Sequence, residues 1–305
     1  MQQQIERFLQ FLSSDMSSSQ NTVAAYRNDL TQLRLFLEAP IAEHLASNGD
    51  GALVTDWSAV TRAKIIAFVV HLREKSYAPT TVARKVAAVK SFFHYLAAEG
   101  IVSADPTDSL DSPRVEKVLP RSLNSDEVTD LLTAASRDNS PEGLRDDAML
   151  QLLWSTGMRV SELVSLNLDD LDLSTGYVRC LGKANRERIV PVSPEAKIAL
   201  EEYIEAGRAA LVRRREEYAL FVNHRGERLT RQGFWLILKS YARGAGLADD
   251  ITPQTLRHTF AVHQLDQHTD LRSLQELLGH ASIATTQVYA QLVNSRQAHR
   301  EAVTA

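Results

Sequence analysis

Leu278-Gly279-His280-Ala281-Ser282-Ile283-Ala284-Thr285-Thr286-Gln287-Val288-Tyr289-Ala290 is the stretch from which the rest of the chain is read. Gly279 supplies a left-handed residue to close one helix, and Ser282 caps the next, which leaves His280 in the corner between them. Tyr289 then falls two turns into the second helix. Taken alone, the segment reads as a buried tyrosine on an amphipathic helix. Set against an open cleft, the same phenol is a rigidly held nucleophile beside an imidazole.

Working back from it, the spacing of apolar residues predicts helices over Leu271–Leu278, Pro253–Gln267 and Arg231–Arg243. Asn124-Ser125-Asp126-Glu127 fits a capping box with asparagine as the cap, and Ser140-Pro141 starts a further helix with proline at its first position. That helix runs through Ala148, Leu150, Leu152, Leu153 and Trp154 to a break at Thr156-Gly157, after which Arg159 opens the short turn to Leu163. Tyr177–Leu181 and Glu187–Val192 read as a hairpin closed by Gly182-Lys183-Ala184-Asn185-Arg186, with Lys183 at its tip. Pro194–Val212 is predicted helical, Leu220–Val222 a short strand, and 294–301 a short amphipathic tail helix.

The first half carries four helical patterns, over Ile5–Leu12, Asn21–Glu38, Thr61–Lys75 and Pro79–Glu99. On the last of them Val82, Val86, Val89, Phe92, Phe93 and Leu96 form an apolar face, while Thr80, Thr81, Arg84, Lys85, Lys90 and Ser91 are polar or basic. Hydroxyl, lysine and arginine groups are those that meet DNA phosphates and base edges, so Thr81, Arg84, Lys85 and Lys90 are candidate DNA contacts. A plain solvated face is the alternative. Prolines 106, 113 and 120 mark an extended segment, read as a linker over 111–121 between a helical domain of 1–110 and a second domain of 122–305.

The 305 residues exceed what one core usually holds, in keeping with two domains. A hydrophobic content of 44% and a charged content of 24% are ordinary for a globular chain. No apolar run reaches membrane-spanning length and the first residues lack a signal-peptide core, so a cytoplasmic location and no membrane partner are expected. Cys180 is the single cysteine, which excludes an intrachain disulfide and a cysteine-based zinc site. His258, His263 and His268 have no carboxylate or cysteine cluster to complete a metal site. A net charge of −4 argues mildly against a polyanion partner, but acidic Asp169-Asp170 and Glu201-Glu202 lie apart from the basic Arg84, Lys85 and Lys90.

Thr156-Gly157-Met158-Arg159-Val160-Ser161-Glu162-Leu163, Gly182-Lys183, Thr252-Pro253-Gln254-Thr255-Leu256-Arg257-His258-Thr259-Phe260-Ala261, and Leu278-Gly279-His280 followed by Tyr289 occur in an order and spacing that resemble the tyrosine recombinase (phage integrase) family, most closely its Xer-type members. The resemblance covers essentially the whole chain. It implies a mainly α protein: an N-terminal four-helix SAM-like core-binding domain, followed by a mixed, mostly helical catalytic domain with a small antiparallel β-sheet. It implies site-specific recombination through a 3′-phosphotyrosine, with dimer resolution at cell division as the role. A phage or transposon integrase, a catalytically weakened DNA-binding relative and a relaxation-only topoisomerase are the alternatives.

In that reading Tyr289 is the nucleophile. Arg159 and Arg257 clamp the non-bridging oxygens of a pentacoordinate phosphorus, and His280 donates a further hydrogen bond. The same guanidinium charge is expected to lower the tyrosine pKa from about 10. Lys183 is the family-type acid for the leaving 5′-hydroxyl, and Glu162 holds Arg159. Gln254 departs from the family, which usually has histidine there as the candidate base; glutamine donates a hydrogen bond but takes up no proton near neutral pH, so the tyrosine proton is left to water and the arginine field, or His258 helps, or cleavage is slowed. Neither ATP nor a metal cofactor is expected. The implied partners are double-stranded DNA with a specific site and a homo- or hetero-tetramer with a second recombinase, with room for a DNA translocase as activator.

Overall fold

The computed structural model describes residues 1–14, 16, 20–39, 54–111, 119–182, 186–214 and 216–304, with side chains as far as Ser295. The chain divides into two compact units, Met1–Lys117 and Val118–Ala305. Residues 112–118, most of the expected linker, lie outside the described residues.

The first unit contains α1 (Gln2–Ser14), α2 (Gln20–Glu38), α3 (Arg62–Glu74) and α4 (Pro79–Ala98). Pro79 at the first position of α4 loses no hydrogen bond, because the first turn of a helix has unpaired N–H groups in any case. The apolar stripe of α4 is fully buried, and each of its large side chains contributes about 1.5–3 kcal/mol of burial. Trp57 is the centre of this core. Its ring meets Phe92 edge to face at 4.8 Å and its Nε1 donates to the Met1 carbonyl at 3.0 Å, so the one polar atom of the largest core residue is satisfied.

The second unit contains α5 (Ser125–Ala135), α6 (Pro141–Thr156), α7 (Val160–Ser165), strands β1 (Leu171–Asp172), β2 (Tyr177–Leu181) and β3 (Glu187–Pro191), then α8 (Pro194–Glu202), α9 (Arg231–Gly244), α10 (Pro253–Asp266), α11 (Leu271–Leu278) and α12 (Ile283–Thr304). Helix α6 is central, burying Ala148, Met149, Leu150, Leu152 and Leu153 completely and packing against α5, α8 and α10. The three strands form an antiparallel sheet in chain order, with Val178 opposite both Leu171 and Val190. Their alternation points Val178, Cys180 and Val190 inward and exposes Tyr177, Leu181 and Ile189.

Four sequence expectations are corrected. The sheet has an additional two-residue strand, β1, whose pairing is made by its neighbour rather than by any run of its own. Leu220–Val222 is not a strand; only the isolated bridges Asn167 to Ala219 and Val222 to Arg228 form. The helix begun at Pro194 widens into a π turn at Tyr203–Arg208 before ending at Leu211. The tail is no separate helix, because α12 runs without a break from Ile283 to Thr304.

Candidate active site

Arg159 owes its position to the chain reversal at Gly157, which ends α6 with φ +56°. A Cβ there would lie 2.2 Å from the Phe260 ring, so both the backbone angle and the packing require glycine. Arg159 follows as the residue before α7. Its backbone N–H donates to Glu162 Oε2 at 2.8 Å and its Nη1 to Oε1 at 2.9 Å, tying main chain and side chain to one carboxylate. Glu162 is itself buried and is gripped from the other side by Arg188 of β3, Nη1 to Oε1 at 2.9 Å and Nη2 to Oε2 at 2.8 Å. Burial works to raise the Glu162 pKa, but the Arg188 hydrogen bond, the Arg159 backbone and the two positive charges bring it below the ordinary value.

Three arginines converge on the end of α11. The last four carbonyls of a helix lack intrahelical partners. The first two here are closed by the turn itself, Gly279 N–H to Glu276 O and His280 N–H to Gln275 O, with Gly279 left-handed at φ +62°. The other two, and the Gly279 carbonyl just past the helix, accept from guanidinium groups: Leu277 O from Arg188 Nε at 2.8 Å, Leu278 O from Arg257 Nη2 at 2.6 Å, and Gly279 O from Arg159 Nη2 at 3.1 Å. The negative end of the helix dipole thereby faces three cations. Arg257 also donates to the Gly157 carbonyl at 2.6 Å, so the breaks after α6 and α11 are joined through one side chain. It is 2% exposed, and burial, aided by the charge of Arg159, lowers its pKa to about 10, which leaves it charged at neutral pH.

Tyr289 comes back from α12 onto this assembly. Its Oη lies 2.9 Å from His258 Nδ1, and its ring is stacked on His280 at 6.2 Å. His280 Nδ1 is 3.0 Å from Thr286 Oγ1, one turn before Tyr289 on the same helix. Burial together with Arg257, Arg159 and Arg188 pushes the His280 pKa down to about 4, and the same kind of environment lowers His258. Both imidazoles are therefore neutral near pH 7.

Two expectations about Tyr289 need correcting. It does not face an open cleft: it is 3% exposed and packs with Phe260, Leu274, Leu278 and Leu292. Its pKa is raised, not lowered, because burial outweighs the pull of Arg257 and Arg159.

Gln254 sits exposed on the first turn of α10 and lines a cavity of about 730 Å³ with Arg159, Thr230, Arg231, Trp235 and Thr252. Lys183 lies outside the described residues; the hairpin arms that flank it are closed by Gly182 N–H to Arg186 O at 2.8 Å. Among the described residues no group of histidine, cysteine and carboxylate side chains could hold a metal ion, and no helix is long and apolar enough to cross a membrane.

In the first unit Lys85 is not on the outer face with Arg84. It is 6% exposed, its Nζ 2.9 Å from the buried Asp29 carboxylate and 2.6 Å from Gln32 Oε1. Helical spacing alone put it on the polar face; an acidic partner on α2 drew it in. Arg84 pairs with the same carboxylate while remaining about half exposed, Thr81 is partly exposed, and Lys90 is turned onto the Leu110 carbonyl at 2.9 Å.

The sequence reading missed Arg188; it left His258 as one of several candidates for the tyrosine proton, and the fold brings its Nδ1 to 2.9 Å from Tyr289 Oη. Arg188 carried a signal: it has the same strand parity as buried Val190, and a charge on the inward face of a strand needs a partner.

Residues 121–296 match the phage integrase family, and residues 5–100 match the phage integrase N-terminal SAM-like domain. The chain belongs to the phage integrase family. Within it the chain is of the Xer type, a site-specific tyrosine recombinase and DNA-binding enzyme. It is 49% identical to tyrosine recombinase XerC of Herpetosiphon aurantiacus over 296 residues, 97% of this chain and 92% of the relative. It is 43% identical to tyrosine recombinase XerD of Listeria monocytogenes over 295 residues, 96% of this chain and 95% of the relative. Among solved structures, the XerH recombinase in its post-cleavage complex with a palindromic difH substrate has the same fold, with TM-score 0.74 at 21% identity over 98% of this chain and 94% of that one. The mainly helical architecture with a three-stranded antiparallel sheet is thus that of the phage integrase family.

Proposed function

We propose that this recombinase cleaves and rejoins duplex DNA at a specific recombination site through a 3′-phosphotyrosine at Tyr289, and that its role is the resolution of chromosome or plasmid dimers at cell division. The observation that carries the reading is the anchorage of Arg159 and Arg257 on the carbonyls of Gly279 and Leu278, at the turn that leads into the helix of Tyr289. Two held guanidinium groups beside one phenol form a cradle for a phosphoryl group at the moment its negative charge rises. Domain limits of 1–110 and 122–305 with a linker between them belong to this reading.

The attacking Oη forms a bond to phosphorus as the bond to O5′ breaks, and Arg159 and Arg257 neutralise the non-bridging oxygens. His280, neutral and held by Thr286, has one N–H to give to the same phosphate. Lys183 is assigned the proton for O5′, and Gln254 a phosphate hydrogen bond from the cavity edge. The ester keeps the energy of the broken bond, so rejoining requires no ATP.

Thr81 and Arg84 are assigned DNA contacts of the first unit; Lys85 supports Arg84 from beneath, and Lys90 supports the segment ending at Leu110. Strand exchange between two duplexes needs a protomer for each cut strand, hence a tetramer with itself or a second recombinase, open to activation by a DNA translocase. The XerH structures hold that protein on its difH site. A cytoplasmic location is part of the same proposal.

A nicked duplex that traps covalent protein–DNA product tests it. The wild-type chain is expected to become attached to DNA and Tyr289→Phe to remain free. A wild-type chain that binds the site without attachment is instead a DNA-binding relative, the reading that Gln254 favours.

A further inference from the structure

We propose that His258 is the proton acceptor that activates Tyr289. The inference rests on Tyr289 being the nucleophile and adds the group that receives its proton.

Geometry singles it out among the basic and acidic groups around the phenol. His258 Nδ1 is 2.9 Å from Tyr289 Oη, a hydrogen-bond distance between the reacting oxygen and a nitrogen able to carry a proton. His280 stacks its ring on the tyrosine with the centroids 6.2 Å apart and turns its own Nδ1 to Thr286. Both oxygens of Glu162 are occupied by Arg188 and Arg159. Arginine accepts nothing, and Gln254 has no basic atom. Gln254 and His258 lie one turn apart on α10, on the same side of the helix. The second of these positions is the one that reaches Tyr289.

The charged and titratable groups facing His258 are Tyr289 of α12, Arg257 beside it on α10 and His280 after α11. Arg257 and burial hold the imidazole neutral. With its proton on Nε2, the ring offers the Nδ1 lone pair to the phenol. In cleavage the Oη–H proton passes to Nδ1 while the Oη electron pair forms the bond to phosphorus. The P–O5′ pair leaves with O5′, which is protonated by the acid assigned to Lys183. In rejoining, the 5′-hydroxyl returns its proton to that acid and attacks phosphorus; Oη departs with its electron pair and recovers the proton from Nδ1. An imidazolium next to Arg257 is unfavourable in the free protein and becomes tolerable once the negative charge of a bound phosphate offsets Arg257, so proton transfer waits for DNA.

The test uses the full-length protein and a nicked duplex whose target sequence is selected from random DNA by binding to the Tyr289→Phe variant. His258→Asn keeps a hydrogen-bonding atom near the Nδ1 position without basicity. Its single-turnover rate of covalent attachment is expected to fall by about 10²–10⁴-fold at neutral pH. DNA retention is expected to stay within about twofold, and the variant's rate to keep rising with pH where the wild type has levelled. A variant within about threefold of wild type, or a loss with an unchanged pH profile, overturns the proposal. ¹⁵N shifts of the unmodified protein provide a second check, since an Nδ1–H tautomer of His258 also overturns it. Absence of attachment in the wild type, or attachment by Tyr289→Phe, defeats the nucleophile reading itself and is distinct from either result.

Discussion

Arg188 closes on Glu162 through both carboxylate oxygens, at 2.9 and 2.8 Å, from a strand on the far side of the carboxylate from Arg159. Glu162→Gln leaves Arg188 largely buried with no counter-charge. Breaking one side of a buried pair is expected to cost about 3 kcal/mol or more. Urea unfolding followed by fluorescence in a chain whose Trp57 and Trp235 are replaced by phenylalanine, so that Trp154 alone reports, measures it. An unchanged midpoint would show that the pair contributes nothing.

Acid should loosen this site in two stages. The His280 pKa is depressed to about 4, so its contribution to stability is complete above the unfolded value of about 6.5 and is lost as pH falls towards 4. Glu162 is also depressed, so its contribution is present above about 4.5 and disappears at still lower pH. Stability profiles of His280→Asn and Glu162→Gln should flatten in the first and second windows respectively. NMR titration of the His280 ring with a midpoint near 6.5 would contradict the first.

Arg257→Lys is expected to lower covalent attachment by about 10²–10³-fold while leaving DNA binding largely intact. One ammonium cannot span the carbonyls of Gly157 and Leu278 and still present a fork to phosphate. Single-turnover assays beside gel-shift binding separate the two effects; equal losses in both would assign Arg257 to binding alone.

Gly157→Ala combines a left-handed backbone with a methyl group driven into Phe260, and should destabilise by about 2 kcal/mol or more. Gly176→Ala, also left-handed but with open space around its Cβ, should lose only the backbone part, about 1 kcal/mol. Thermal unfolding of the pair gives the difference, and equal midpoints would rule out the clash.

In the first unit, Asp29→Ala strands the buried ammonium of Lys85 and should cost about 3–5 kcal/mol. Lys85→Met is expected to be milder, since Arg84 still neutralises Asp29. Fluorescence of a chain whose Trp154 and Trp235 are replaced by phenylalanine reports on that core through Trp57.

Local chemistry made much of this legible. The asparagine cap at 124, the prolines opening α4, α6, α8 and α10, and the glycines closing α6 and α11 all act within one turn, and the elements they bound are where spacing placed them. What escaped was set by distant partners. Strand β1 exists only through β2, Lys85 is buried because Asp29 waits 56 residues earlier, and the π turn at Tyr203 depends on packing that no window of sequence contains. The site followed the same division: Arg159, Arg257, His280 and Tyr289 were readable as a set, whereas Arg188 required the fold, and so did the choice of His258 among the candidates for the tyrosine proton.

The acceptors at 277, 278 and 279 are main-chain oxygens, and that has a consequence for how this enzyme tolerates change. No exchange of a side chain deletes them. Leucine at 277 or 278 is replaceable by any residue that keeps the helix and its packing, without disturbing what the arginines hold. Only altering the route of the backbone, as at Gly279, would displace all three at once. Tolerance scanning should therefore find Leu277 permissive beside an intolerant Gly279, with Leu278 limited to apolar residues by its burial and not by the carbonyl it offers.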